Sequence, residues 1–134
     1  MDIDYRWRAE VVEAELAALT RAHGGVAEVG WWDRVRPHSL GWVTGRVGNG
    51  ELVGFADVAW DGGDHAFLLD PEVRPDRPRR GVGTELVRRA ADAAARAGCT
   101  WLHVDFEPRL RPFYFEACGF RSTDAGLIPL QGAL

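Results

Sequence analysis

Lysine is absent from this 134-residue chain; all sixteen basic residues are arginine. Chemistry that needs a lysine nucleophile, Schiff base or phosphate-loop cation is therefore excluded. Cysteine is scarce. Cys99 and Cys118 cannot build a disulfide framework, lack metal-ligand spacing, and read as buried thiols. No run of about 18 apolar residues occurs, so no membrane span is expected. The opening "MDIDYRWRAE" has no signal-peptide core. A cytoplasmic protein that meets no membrane is the expectation. Positive charge is outweighed: the formal net charge of −4 argues against nucleic acid as a partner. One local exception is "RPDRPRR", with Arg74, Arg77, Arg79 and Arg80 close together. Repeats, low-complexity tracts and linkers are also lacking, so residues 1–134 read as a single domain. With 46% apolar residues the chain can bury one core unaided.

What is present alternates between strand and helix signals. "IDYRW" reads as a short strand. Residues 8–22 carry a helical stripe of Val12, Leu16 and Leu19, ended by "HGG". "VAEVGWWDRVRP" fits either a loop or a short helix. "SLGWVTGRV" and "ELVGFADVAW" read as strands joined by "GNG", and "HAFLLD" starts a third that extends to about Val73. The clearest helix is 84–97, with an apolar stripe and the outward pairs Glu85–Arg89 and Asp92–Arg96, capped by Gly98. "WLHVDF" is a strand, Pro112 starts a short helix that Gly119 closes, and one or two last strands fit between Phe120 and Leu130. This order predicts an α+β fold. Its sheet is mixed and mostly antiparallel, with helices on both faces and strands 65–73 and 101–106 parallel.

"RPRRGVGTEL" places a Gly-Val-Gly at a helix start, where free backbone N–H groups suit an anion. A nucleotide P-loop needs Lys-Ser/Thr after its last glycine; here Thr84 and Glu85 follow Gly83. A dinucleotide fingerprint needs a small residue three positions later; here that is Leu86. A pyrophosphate held by helix N–H groups and assisted by arginines remains.

"VRPDRPRRGVGTELV" resembles the acyl-CoA-binding motif of the GNAT family of N-acetyltransferases, written Q/R-x-x-G-x-G/A. "FYFEACGF" resembles that family's later short helix and following turn. The likeness covers residues 40 to 120 well and the two ends loosely. It implies acetyl transfer from acetyl-CoA to a primary amine, small-molecule or peptide, by direct attack. Acetyl-CoA would be a cosubstrate held by Val73, Arg74, Arg79, Arg80, Gly81, Val82, Gly83 and Thr84. The pantetheine arm would lie between strands splayed near Val73 and Phe106, bonded by backbone groups of residues 69–73. Dimers are common in the resembled family, so a homodimer is among the expected assemblies. A catalytically weak or inactive CoA-binding module is the alternative.

Two positions depart from the family pattern. Pro78, three before Gly81, has no N–H to give. The family's acid tyrosine lies four residues before the closing glycine, where this chain has Phe115; Tyr114 is one residue earlier, turned by about 100° on an α-helix.

The chemistry asks for a base to take the amine's proton and an acid for the departing thiolate. The candidates are Asp57, set in an apolar row, and His103 as base, with Tyr114 as acid. Asp70 and Glu72 edge the expected splay, while Asp105 and Glu107 lie near the end of their strand. Trp31, Trp32, Asp33 and His38 suit a wall for a cationic amine.

Overall fold

The computed structural model describes residues 2–76 and 81–132. They fall in two compact units, Met1–Val104 and Asp105–Leu134.

The first unit is built on a five-stranded sheet: β1 (Asp4–Trp7), β2 (Ser39–Arg46), β3 (Leu52–Trp60), β4 (His65–Val73) and β5 (Trp101–His103). Spatial order follows chain order. Neighbours are antiparallel except β4 and β5, which run parallel in the register Phe67↔His103. The expected mixed sheet is thus present. β5 is shorter than the expected 101–106, because its pairing with β4 stops at His103.

Helices α1 (Glu13–His23) and α2 (Trp31–Val35) cover one face, and α3 (Val82–Arg96) the other. Neighbouring residues of β3 show the division. A Cβ on Gly54 would meet Val82 and Leu86 of α3 at 3.0 and 3.2 Å. Phe55, the next residue, points the opposite way and takes the Trp32 ring of α2 edge-on at 5.3 Å. Trp32 also meets Trp42 edge-on at 5.0 Å; with Leu16, Leu19 and Leu52 these rings make one buried cluster. Beneath α3 the strands bury Val53, Val58, Ala66 and Leu68 against Leu86, Val87 and Ala90.

α1 starts five residues later than the helical stripe suggests. Its cap is Val12, whose N–H donates to Glu15 Oε2 at 2.9 Å. Valine has no side-chain oxygen to complete a capping box. Glu15 also receives both Arg46 Nη atoms at 2.7 Å, so one carboxylate ties the helix start to the end of β2. On α3 the expected Glu85–Arg89 pair forms, whereas Asp92 pairs with Arg88 one turn earlier instead of Arg96. Arg88, then Arg89, hold the Glu85 carboxyl down to about 2. No helix among the described residues is long and apolar enough to cross a membrane.

The second unit holds a 3-10 turn, Pro108–Leu110, and a π-helix, Pro112–Ala117. The strand expected between residues 120 and 130 is not formed. That stretch contains Gly126 and Pro129, pairs with no strand, and leaves Leu127, Ile128 and Leu130 more than three-quarters exposed. Both cysteines are half-buried, not buried as expected: Cys99 lies just beyond the end of α3 and Cys118 at the end of the π-helix.

Candidate functional site

α3 opens on Gly81, whose φ of 79° is the left-handed conformation that a glycine tolerates. The first bond of the helix runs from Glu85 N–H to Gly81 O at 2.9 Å. The amides of Val82, Gly83 and Thr84 therefore have no intrahelical acceptor and project from the positive end of a 15-residue helix. Arg79 and Arg80 lie outside the described residues. Arg74 is engaged by carboxylates, Asp76 at 2.8 Å and Glu51 at 3.4 Å.

β4 feeds into this loop. It continues to Val73, well past its last pairing with β5, so its edge carries backbone groups with no strand of the described residues beside them. A register shift opposite Phe55–Asp57 puts an extra residue into β4. Asp70 takes up the strain there, with φ +53°. Beyond the bulge, the His23 ring at the end of α1 reaches β4: its Nδ1 lies 3.2 Å from Val73 O and 3.4 Å from Val73 N.

Two carboxylates, Asp57 and Glu72, sit on the face beneath α1 and α2, and Asp70 stands exposed in the adjoining bulge. Asp57 is 1% exposed. Its Oδ1 accepts the Ser39 hydroxyl at 2.5 Å, and its Oδ2 is buried without a partner. Burial above all, opposed by Ser39 and assisted by the negative charge of Asp70, pushes its pKa up to about 6. Asp70 and Glu72 are also raised by desolvation. Glu72 accepts Thr20 Oγ1 at 2.9 and 3.1 Å, feels the positive field of His23, and is raised further by Asp70.

His103 is on the same face as Phe67 and Asp57, because partners in register share a side. It stacks on Phe67 with centroids 4.7 Å apart, and its Nε2 lies 2.7 Å from His65 Nδ1. One imidazole must donate and the other accept. Asp57 and His103 lie two strands apart and do not touch.

Trp32 and Asp33 line a small cleft of ≈ 170 Å³, with Trp42, Glu10, Glu13 and Arg36 around it. Trp31 stacks on Trp32 at 6.0 Å, whereas His38 is exposed in the following 3-10 turn and is not part of the lining.

In the second unit Tyr114 is 4% exposed and lies against Phe106 (4.4 Å), Phe113 (4.8 Å) and Phe120 (5.9 Å). Burial, then Cys118 and Asp105, raise its phenol, so it stays protonated at neutral pH. The helix that carries it closes by Cys118 N–H to Phe113 O, a ring one residue wider than that of an α-helix. Asp105 and Glu107 are exposed at the start of this unit, and Arg109 pairs with Glu107 at 2.8 Å.

Ser39, His65 and His23 were not legible as site residues. Each acts through a partner 18 to 50 residues away, set by strand register or helix docking.

A meander runs into a parallel pair joined by a crossover helix that glycine opens, the strand and helix order that the resemblance implied. The chain belongs to the GNAT family: the family model described as Acetyltransferase (GNAT) family matches residues 6–120. A mycothiol acetyltransferase of Nocardia farcinica is 34% identical over 112 residues, 78% of this chain and 37% of that protein. The chain thus spans well under half the length of that relative. Among solved structures, a GNAT family acetyltransferase of Streptococcus pneumoniae superposes with a TM-score of 0.77 at 20% identity, covering 96% of this chain and 99% of the other. The aminoglycoside N-acetyltransferase AAC(6')-Iy, in complex with the bisubstrate analogue CoA-S-monomethyl-acetylneamine, gives 0.77 at 19% identity, covering 99% and 100%.

Proposed function

We propose that this protein transfers an acetyl group from acetyl-CoA to a primary amine by direct attack. The observation that carries the reading is the junction of two open backbone sets. The unbonded edge of β4 leads towards residues 77–80, and the free amides of Val82, Gly83 and Thr84 follow them. A pantetheine arm is an extended chain of amides and suits a strand edge; a pyrophosphate suits a helix N-terminus. Val73 offers its backbone groups at the end of that edge, where the His23 ring now rests. Arg79 and Arg80 are proposed as assisting cations. Arg74, held by Asp76 and Glu51, serves to brace the loop.

In this reading the amine nitrogen attacks the thioester carbonyl carbon, a C–N bond forms, and the C–S bond breaks. The amine must first be neutral. Asp57 is proposed as the base, because its Oδ2 has no other partner and its raised pKa still leaves it ionised near pH 7. His103 is the second candidate, oriented by His65. Tyr114 is proposed as the acid that returns a proton to the thiolate. The wide ring of the π-helix absorbs one residue, which supports reading Tyr114 in place of the family tyrosine despite the shift from position 115.

Calorimetric titration with acetyl-CoA and free CoA, on the wild type and on Gly83→Trp, tests the site. Saturable binding lost in a folded Gly83→Trp protein is the expected result. Unchanged affinity in the variant overturns the assignment. Thiol release with a panel of amines then tests transfer; CoA binding without turnover on any amine would favour the non-catalytic module.

A further inference from the structure

The carboxylates beneath α1 are more numerous than one proton transfer requires. Asp57 on β3 and Glu72 on β4 share one face, and Asp70 stands in the bulge of β4 between Leu69 and Glu72. Asp70 is close enough to both of the others to disfavour their ionisation. Sixteen arginines are distributed over this chain, yet none of those described pairs with any of the three. His23 faces Glu72 from α1, while Ser39 and Thr20 supply neutral hydroxyls. Asp70 has no hydrogen-bond or ion-pair partner among the described residues and stands in a left-handed conformation uncommon outside glycine. The unpartnered Oδ2 of the almost fully buried Asp57 is an independent sign that something polar is missing.

Desolvated like charges oppose folding. Such a group is relieved by a cation from outside, and the face is open to one. Asp70 is exposed, and Phe67 and Leu69, on the same side of β4, are 38% and 37% exposed. Asp57 and Glu72 are diagonal neighbours across the β3–β4 pair, roughly 7–8 Å apart at the backbone. Two positive nitrogens joined by a short aliphatic chain match that spacing, with the methylenes laid on Leu69 and Phe67.

Resting on the acetyl-transfer reading above, we propose that this face selects a dicationic amine as acceptor. One nitrogen is delivered to Asp57, and a second, unreacted ammonium is held by Asp70 and Glu72. The acceptor class is therefore a short aliphatic diamine or a larger molecule that presents two such ammonium groups.

Putrescine and n-butylamine have the same carbon chain and differ by one ammonium. Calorimetric titration of the full chain with each, at low ionic strength, alone and with saturating CoA, isolates that second charge. Putrescine is expected to bind about tenfold tighter or more. Asp70→Asn and Glu72→Gln should each erode the advantage and together abolish it, while both variants melt no lower than the wild type. With acetyl-CoA they should raise KM for putrescine and leave kcat nearly unchanged. Equal affinity for the two amines, no saturable binding of putrescine, or an advantage that survives both substitutions would overturn the proposal. Titration of acetyl-CoA on the same sample separates the two readings. Its failure removes acetyl transfer and leaves any putrescine preference standing; intact CoA binding without that preference removes the dication site alone.

Discussion

Replacing Asp57 with asparagine should change stability by an amount that depends on pH, and the dependence can be worked out from the site. The wild-type carboxyl has a pKa of about 6 in the fold against a reference of 3.8, chiefly because burial disfavours its charge. It binds its proton more tightly folded than unfolded. Its stabilising effect is therefore fully present below 3.8 and is lost as pH rises through about 6. Over the whole range that loss is about 3 kcal/mol, of which about 1–2 kcal/mol falls between pH 5 and pH 8. Asparagine keeps an oxygen for the Ser39 hydroxyl but buries an amide N–H2, at a cost of roughly 1–3 kcal/mol that does not vary with pH. The change of the variant-minus-wild-type difference between two pH values removes that constant. Denaturant unfolding followed by tryptophan fluorescence at pH 5, 6, 7 and 8 should show the variant gaining about 1–2 kcal/mol on the wild type from the lowest pH to the highest. A flat difference would refute the claim that Asp57 is a desolvated, ionisable carboxyl. If it is also the base, kcat/KM of the wild type should rise with pH through about 6, and the variant should lose about 10²–10⁴ in rate.

Tyr114→Phe should lower kcat by about 10²-fold or more while acetyl-CoA affinity and melting temperature hold, read from single-turnover kinetics and calorimetry. His23→Ala should tighten acetyl-CoA binding about 2–10-fold, since the ring no longer competes for Val73 backbone groups; weaker binding would show that it supports the strand instead. Gly41→Ala should cost about 1–3 kcal/mol in chemical denaturation, because its Cβ would fall 2.1 Å from the Trp7 ring that crosses from β1. CoA binding should survive that change.

Much of the fold was open to reading because it rests on local signals. The GNG turn between alternating strands, the apolar stripe of α3, and Gly81 at its start each derive from backbone preference or periodicity within a few residues. Parallel β4 and β5 followed from a strand–helix–strand order with one permitted hand. The ends of elements were less visible. β5 stops at His103 although "WLHVDF" alternates to Phe106, because a strand lasts only as long as its neighbour pairs with it. The 120–130 stretch has no strand partner among the described residues and forms no strand.

The composition of the site divides the same way. The sequence by itself marked Gly81–Thr84 as a place suited to an anion, since glycines and a helix start favour that chemistry wherever the chain goes. It also marked Asp57 as a carboxylate out of place in an apolar strand. Tertiary structure alone decided that Ser39 would hold one oxygen of Asp57 and leave the other bare. It also put Glu72 on the face of Asp57 with Asp70 in the bulge beside them, His65 against His103, and a π-turn beneath Tyr114. Pairing register, a one-residue bulge and helix docking fix those neighbours, and each depends on residues remote in the chain, so no local pattern announces them.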